Sequence, residues 1–239
     1  QAFRRPTLNE LYRPFRVGAD ATAANPGLAP ARRGGAAAGL DLEPAPGLTF
    51  HATGFWNRLD DAIANVTLAN GPGTFPGVGF VSAAGVYRQR RNLDALVSRG
   101  LEVAAQFERG EVHVDFSYAL ADARARGSGT AAALDGLRPA QTAKHAASAT
   151  LGWRRDEASV SLTARYAAPQ FEDDLNQRRL DDALTLDALA TVPIGGEFAL
   201  VARGENLFDA RVEAGISGPG VVERASRRTL WMGLRFRLR

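Results

Sequence analysis

The residues best suited to chemistry in this sequence of 239 residues are its three histidines. His51, His113 and His145 fall on three separate predicted strands, and no pair of them has the spacing of metal ligands or of a catalytic acid and base. Gly71-Pro72-Gly73 does not lead from a strand into a helix and is not followed by Lys-Ser or Lys-Thr, so it does not predict a phosphate-binding loop. The sequence therefore predicts no enzyme and no cofactor.

A run of acidic residues, Glu172-Asp173-Asp174, could supply the carboxylate oxygens that calcium prefers. The alternating donor spacing of a calcium-binding loop is absent, however, which favours a solvated loop. Both interpretations remain open on the sequence alone.

The composition excludes several classes of protein. Cysteine is absent, so there are no disulfides, thiolate metal sites or cysteine nucleophiles. No segment approaches the roughly 18 to 20 unbroken apolar residues that a membrane-spanning helix needs. Lys144 is the only lysine, which leaves 29 − 1 = 28 arginines scattered among 26 acidic residues. This mixture does not predict a nucleic-acid partner.

The elements that carry these residues are predicted to be strands, and the last strand is the clearest. Successive side chains of an extended chain point to opposite faces. Residues 229–239 therefore divide into an apolar face and a second, largely charged face: Leu230, Met232, Leu234, Phe236 and Leu238 against Trp231, Gly233, Arg235, Arg237 and Arg239. A soluble sheet packs such an apolar face on a core, whereas a membrane barrel turns it to lipid. The periodicity alone does not choose between the two.

Short alternating runs, separated by turn-forming residues, recur along the chain. They predict ten strands, at residues 36–44, 47–58, 79–91, 98–108, 111–123, 142–154, 157–168, 180–193, 196–207 and 228–238. Tight turns alternate with long connections, with one shorter link at 92–97; the long ones are 59–78, 124–141, 169–179 and 208–227. Outer-membrane barrels have short turns at one end and long loops at the other, so this sorting favours an all-β, antiparallel up-and-down transmembrane β-barrel.

Three inner strands predict the same two faces. The side chains expected to face lipid are Leu101, Val103, Ala105, Phe107, Val112, Val114, Phe116, Tyr118, Leu120, Val160, Leu162, Ala164 and Tyr166. Those expected to face a wet interior are Glu102, Gln106, Glu108, His113, Asp115, Ser117, Ser159, Ser161, Thr163 and Arg165.

A set of motifs runs through the chain in a fixed order. The positions that carry it are Pro6, Glu10, Leu11, Tyr12, Asn25, Pro26, Gly100, Glu102, Asn206, Leu207, Phe208, Arg228 and Thr229. In this order they resemble the signature of the TonB-dependent outer-membrane receptors. Two departures stand out: Ala31 occupies a position where the family usually has Glu, and Arg239 follows the last aromatic residue, Phe236, where such barrels usually end in an aromatic.

The resemblance implies a barrel of 22 strands around an N-terminal plug, of which residues 1–239 would be a C-terminal fragment of about ten strands, with the plug and the N-terminal strands absent. It implies active uptake of scarce nutrients, such as metal-siderophore chelates or cobalamin, energised by the TonB complex through a TonB box ahead of the plug. The expected partners are outer-membrane lipid, the missing strands and plug, and TonB, and the expected location is the outer membrane. The alternatives are a passive porin-like barrel and a soluble β-sandwich binding domain.

Four charged residues on the last two strands are expected to face the lumen and its plug: Arg203, Glu205, Arg235 and Arg237. Arginine suits this position because its guanidinium can bind carboxylates with two hydrogen bonds. The long loops are expected to gather the ligand, but the sequence does not identify the ligand or the residues that contact it.

Overall fold

A computed structural model describes residues 2–217 and 220–236 of the chain. Within these residues, ten strands form one antiparallel sheet, the main sheet. The strands are β1 Ala2–Arg4, β2 Ala31–Ala45, β3 Leu48–Asp60, β4 Ala95–Arg109, β5 Val112–Arg126, β6 His145–Arg155, β7 Ala158–Ala167, β8 Ala183–Gly195, β9 Phe198–Glu205 and β10 Thr229–Phe236. Hydrogen-bonded neighbours are always consecutive in the chain, so the sheet is an up-and-down meander whose edges are β1 and β10. The predicted all-β, antiparallel fold is confirmed, and the sheet is not closed.

The connections between these strands alternate in length, as predicted. Short turns join β2 to β3, β4 to β5, β6 to β7 and β8 to β9. Gly110 and Asp156 adopt positive φ angles in two of them, as tight turns require. The long loops all lie at the opposite end, which we call the outer end: 5–30, 61–94, 127–144, 168–182 and 206–228.

One predicted strand of the main sheet is wrong. Residues 79–91 form two short strands, Gly79–Val81 and Val86–Asn92, inside the loop between β3 and β4, and β1 takes the tenth place in the main sheet. Alternation identifies a strand but not the sheet that it joins. Val86–Asn92 pairs with Ile63–Asn70 of the same loop and with Asp20–Ala23 of another. The expected link at 92–97 is therefore not a separate connection.

The outer loops carry further small elements. Phe15–Val17 joins the loop sheet formed by Asp20–Ala23, Val86–Asn92 and Ile63–Asn70. The other elements are the strand pairs Gly73–Phe75 with Gly79–Val81, Gln170–Phe171 with Arg179–Leu180 and Glu213–Ser217 with Val221–Arg224, the helix α1 Leu8–Tyr12, and the 3-10 helix Gly129–Leu134. Among the described residues, no helix is long and apolar enough to cross a membrane.

A buried hydrophobic cluster lies where the outer loops meet the sheet. Its buried members are Ala62, Val66, Leu93, Ala125, Ala131 and Leu134. Leu59 of β3 and Leu96 of β4 pack against it from the main sheet. The loops at this end are therefore anchored on the sheet by apolar packing.

Candidate functional site

One face of the main sheet is apolar and exposed. The pairing register places Leu151 of β6 opposite Leu162 of β7, so alternate side chains of neighbouring strands share this face. On β10, Leu230, Met232 and Leu234 are 65%, 74% and 62% exposed. A soluble β-sandwich would bury these three side chains in its core, whereas in the described residues no second sheet covers them.

The opposite face is polar, and its side chains pair across the strands. The hydroxyl oxygens of Ser117 and Ser148 are 2.8 Å apart, and Arg165 forms an ion pair with Asp187. The predicted faces of β5 and β7 are therefore confirmed in their relative orientation: Ser117 and Arg165 lie on the side away from the exposed leucines. A face of this kind tolerates water or a packed polar domain.

A cavity of about 690 Å³ lies against the polar face. Its polar lining comes from successive strands, β3 to β8, through His51, Glu102, Ser117, Ser148, Arg165 and Thr185. Glu102 and Arg165 bring opposite charges to this wall. Small apolar side chains such as Ala104 and Ala146 lie between these polar groups, so the wall of the cavity is mixed in character.

The residues expected to face a plug divide into two groups. Arg203 and Glu205 share the polar face and form an ion pair, and the Arg203 guanidinium lies 5.4 Å from the centroid of the Trp231 ring. Arg235 lies on the same face of β10, opposite Ala199. Arg237 lies outside the described residues. Since Arg203 and Glu205 neutralise each other, Arg235 is the exposed cation of this group.

The histidines do not converge. The Nδ1 atom of His51 lies 2.6 Å from the Asp41 carboxylate, whereas Nδ1 of His145 lies 2.8 Å from the Tyr118 hydroxyl. His113 lies over Gly152, where an added Cβ would clash with its ring. Within the described part of the chain, no group of three or more His, Asp or Glu side chains could hold a metal ion.

The acidic run predicted as a calcium site or a solvated loop has a structural role. The Asp173 carboxylate is buried and accepts hydrogen bonds from the backbone amides of Gln177 and Arg178. Glu172 accepts a hydrogen bond from the Gln141 side chain at 3.0 Å. These carboxylates accept hydrogen bonds from donors of the protein itself, which fixes the conformation of this loop.

Arg88 and Asp174 join three outer loops, a connection that the sequence did not reveal. The Asp174 carboxylate accepts hydrogen bonds from the backbone amide and the hydroxyl of Thr67, both at 2.7 Å. Arg88 donates to Asp20 at 2.8 Å and lies 3.9 Å from Asp174. Loops 5–30, 61–94 and 168–182 are therefore held together by half-buried charges. The acidic run pointed to Asp174, but nothing in the sequence indicated its partners.

The first signature motif builds the helix that follows β1. Thr7 and Glu10 form a reciprocal cap at the start of α1, and Arg4 donates two hydrogen bonds of 2.9 Å to the Glu10 carboxylate. The hydrogen bonds from Arg4, with those from Thr7, lower the pKa of Glu10 to about 2. Pro6 precedes the cap, and Leu11 and Tyr12 close the helix, with Tyr12 exposed.

The Asn25-Pro26 signature fixes the loop after this helix. The Asn25 side chain donates to the carbonyl of Arg90 at 2.9 Å and accepts from the Gly27 amide at 3.0 Å. This contact again links the first outer loop to loop 61–94. This signature residue thus stabilises the loops at the outer end.

The last signature motif organises the loop between β9 and β10. Asn206 is buried with a positive φ angle, and its side chain bonds to the backbone of Ala210 in both directions. Leu207 covers Gly204, and Phe208 is exposed. At the far end of the loop, the Arg228 amide donates to Asp209 and Thr229 pairs with Glu205.

Gly100, the signature position on β4, is required by close packing. A Cβ atom there would lie 1.9 Å from the Leu120 carbonyl oxygen and 2.5 Å from the Phe55 ring. The Phe55 ring therefore occupies the space that a side chain at position 100 would need.

Comparisons with known proteins agree with this geometry. A family model described as TonB dependent receptor-like, beta-barrel, matches residues 1–207. No curated protein matches the sequence. Three solved structures are similar in fold: the copper transporter OprC, the ferric yersiniabactin uptake receptor FyuA from Yersinia pestis, and the siderophore receptor PiuA from Acinetobacter baumannii.

The similarity is one of fold, at low sequence identity. The TM-scores are 0.70, 0.67 and 0.64, and the identities are 18%, 16% and 15%, respectively. The matches cover 98%, 87% and 87% of this chain but only 36%, 30% and 28% of the three solved chains. This chain therefore spans about a third of the length of these proteins.

Proposed function

The chain belongs to the TonB-dependent receptor-like β-barrel family, and from this we propose that it is the C-terminal part of the barrel of an outer-membrane active transporter. The observation that carries the proposal is the arrangement of the two faces of the main sheet. Leu230 and Met232 are exposed on one face, whereas the paired charges of Arg165 and Asp187 lie on the other. Lipid solvates the first face and a hydrated interior the second.

We infer that further strands complete the barrel. β1 and β10 each pair on one side only, and unpaired backbone groups in hydrocarbon cost several kcal/mol each. The solved relatives are about three times as long as this chain, which agrees with a wall that continues in further strands. Residues 1–239 would then form one segment of the wall, with the other strands and the plug contributed by the rest of the receptor.

The polar face would meet the plug in the lumen. Arg235 is exposed on β10 and is the best candidate for a contact with a carboxylate of the plug. Arg203 and Glu205 already form a pair, so they would present a neutral, hydrogen-bonding surface. Arg237 is expected to continue the row of Arg235 by the alternation of the strand.

The proposed activity is uptake of a scarce nutrient, such as a metal-siderophore chelate or cobalamin, driven through TonB. The outer loops would gather this ligand because they form an ordered layer at the mouth of the barrel, held by contacts such as Arg88 to Asp20. The three similar structures are described as a ferric yersiniabactin uptake receptor, a siderophore receptor and a copper transporter, which supports metal-containing cargo. The family consists of receptors and not of enzymes.

Uptake by cells tests the proposal. Cells that express the complete receptor are given iron-55 as a hydroxamate chelate or a catecholate chelate, and cobalt-57 as cobalamin, with and without a functional tonB gene. We expect at least one probe to accumulate above its external concentration only when TonB is present. A passive porin-like barrel would equilibrate the probes equally in both strains. That result would contradict active transport and favour the porin-like function.

A further inference from the structure

A cleft of about 390 Å³ opens between three of the outer loops, and we call it the three-loop cleft. Its lining comes from Asn70 and residues 83–86 of loop 61–94, Arg178 of loop 168–182, and Gly220 of loop 206–228. The volume lies within the range of about 300 to 1,000 Å³ that small-molecule sites occupy. Within the described part of the chain, Arg178 is the only charged residue of this lining. The cleft is therefore a positively charged space in the loop layer.

The guanidinium of Arg178 has donors to spare. The backbone amide of Arg178 donates to the Asp173 carboxylate at 2.6 Å, and its carbonyl accepts from the Glu172 amide at 2.8 Å. The backbone at this position is thus fixed, and the residue is half-buried. The side chain has one hydrogen bond to a described residue, from Nη1 to the Ile216 carbonyl, and it is long at 3.5 Å. Most of the five N–H donors of this guanidinium can therefore bind a ligand.

The acidic residues that precede Arg178 in the same loop are bound to other groups. The Asp174 carboxylate accepts two hydrogen bonds from Thr67, and the Glu172 carboxylate accepts one from the Gln141 side chain. Among the described residues, neither carboxylate forms an ion pair with Arg178. The positive charge of Arg178 is therefore not neutralised within its own loop.

Loop 61–94 adds two backbone donors to the cleft. Gly85 donates to the Ser82 carbonyl at 3.0 Å and closes a tight turn, and Gly71 donates to the Gly85 carbonyl at 2.9 Å. The amides of Ala83 and Ala84, which lie inside this turn and line the cleft, have no acceptor among the described residues. Free amides of successive turn residues and a guanidinium both favour anionic oxygen atoms. The cleft therefore has the donors of an anion-binding site.

We propose that the three-loop cleft binds anionic oxygen atoms of the cargo, so that the receptor selects an anionic metal chelate over a neutral one. Arg178 would bind a carboxylate or catecholate oxygen pair through two hydrogen bonds, and the Ala83 and Ala84 amides would complete the contact. A neutral chelate leaves the half-buried charge of Arg178 without a partner, which disfavours its binding. This inference rests on the proposed function, because that function brings a metal chelate to the outer loops.

Binding of iron-55 chelates to the complete receptor tests this proposal. The receptor is purified in detergent and equilibrated with the anionic citrate complex, the anionic tris-catecholate complex or the neutral tris-acetohydroxamate complex. We expect at least one anionic complex to bind more tightly than the neutral one. Arg178→Gln should weaken the binding of that anionic complex by roughly 10- to 100-fold, because charge-assisted hydrogen bonds are lost. Arg178→Lys keeps the charge without the paired donors, so it should retain an intermediate affinity even if Arg178→Gln disturbs the loop.

Arg179→Gln is the matched control. Arg179 is the next residue along the chain, its side chain is 60% exposed, and it does not line the cleft. The substitution removes the same charge from the same loop, so the affinity for the anionic complexes should equal that of the wild type. Equal affinities of the wild type, Arg178→Gln and Arg178→Lys would overturn the proposal. A wild-type receptor that binds neither anionic complex, or that prefers the neutral one, would overturn it too.

An excess of inorganic phosphate distinguishes a chelate site from a site for the free anion. Phosphate should leave most of the anionic complex bound, because the chelate makes further contacts with the loops. Complete displacement by phosphate would assign the cleft to free phosphate and overturn the proposal.

Uptake by cells separates this inference from the proposed function. If TonB drives accumulation of the neutral complex or of cobalamin but of neither anionic complex, the selection of an anionic chelate is refuted and active transport stands. If no probe accumulates in a TonB-dependent manner, the proposed function itself fails.

Discussion

The carboxylate of Asp209 binds the guanidinium of Arg227, 18 residues further along the chain, and also accepts a hydrogen bond of 3.0 Å from the Arg228 amide. Asp209 follows β9, and Arg228 immediately precedes β10. The contact therefore closes the last outer loop at its base. It also explains why an acidic residue follows Asn206-Leu207-Phe208 and why arginines precede the last strand.

Asp209→Asn should open this loop. The substitution keeps the size of the side chain but removes the charge that attracts Arg227 and Arg228. We expect limited proteolysis to cut loop 206–228 several times faster at neutral pH than in the wild type. Asp181→Asn is the control, because its carboxylate is largely exposed and lies 3.7 Å from its partner Arg179. Equal cleavage rates for Asp209→Asn and the wild type would contradict the closing role.

The same contact predicts a pH dependence of the loop. Hydrogen bonds from Arg227 lower the pKa of Asp209 from its ordinary value of 3.8 to about 2. Because the folded pKa is the lower one, the stabilisation is fully present above about pH 4 and is lost as the pH falls towards 2. Digestion with pepsin between pH 4 and pH 2 should show wild-type protection fall across this window, whereas Asp209→Asn should show no such step.

Gly100→Ala should impair packing of the barrel wall. The new Cβ atom would overlap the Leu120 carbonyl oxygen at 1.9 Å and the Phe55 ring at 2.5 Å. Overpacking of this kind costs about 1 to 3 kcal/mol. Gly54→Ala is the matched control on the neighbouring strand, because nothing lies within 4 Å of an added Cβ there. The urea midpoint of the receptor in detergent should fall for Gly100→Ala only, and equal midpoints would refute the packing argument.

The faces of the strands could be predicted from the sequence because a period of two is a local property. Leu162 and Thr163 point to opposite sides whatever the rest of the chain does, and the register confirms this. The sheet to which a strand belongs is not local. Val86–Asn92 alternates like a wall strand, but it pairs with Ile63–Asn70 and Asp20–Ala23 within the loops.

Contacts between distant loops could not be predicted from the sequence either. Thr67 and Asp174 are 107 residues apart, and nothing in either local sequence identifies the other as its partner. The signature positions Glu10 and Asn206 were recognisable as a pattern, but their roles as a helix cap and a loop anchor emerge only from their hydrogen bonds. Most strands of the main sheet could thus be predicted from the sequence, whereas the contacts among the outer loops could not.

Arg88→Gln should loosen the loop layer without unfolding the wall. The substitution leaves the half-buried carboxylates of Asp20 and Asp174 without their cation, which costs about 1 to 3 kcal/mol locally. The amides of Val86 and Thr67 donate to these carboxylates, so their hydrogen exchange should accelerate. Arg179→Gln serves as the control, since that side chain is exposed. Unchanged exchange at both amides would show that Arg88 does not hold the loops together.

Leu162 and Thr163 are adjacent in the middle of β7 and occupy opposite faces of the main sheet. They therefore provide the sharpest test of which face contacts lipid. Leu162 is exposed on the apolar face, whereas Thr163 lies on the polar face opposite Asp187. An arginine that faces lipid near the bilayer midplane costs about 2 to 4 kcal/mol, whereas an arginine in a hydrated lumen costs little. Leu162→Arg should therefore reduce the folded, heat-modifiable fraction in the outer membrane.

Thr163→Arg should assemble like the wild type, because its guanidinium can approach the Asp187 carboxylate across the strand pair. Folded fractions of both variants are compared by electrophoresis of unheated membrane samples. The opposite order, with Thr163→Arg misassembled and Leu162→Arg normal, would mean that the leucine face is the wet one. The assignment of the apolar face to lipid would then be wrong.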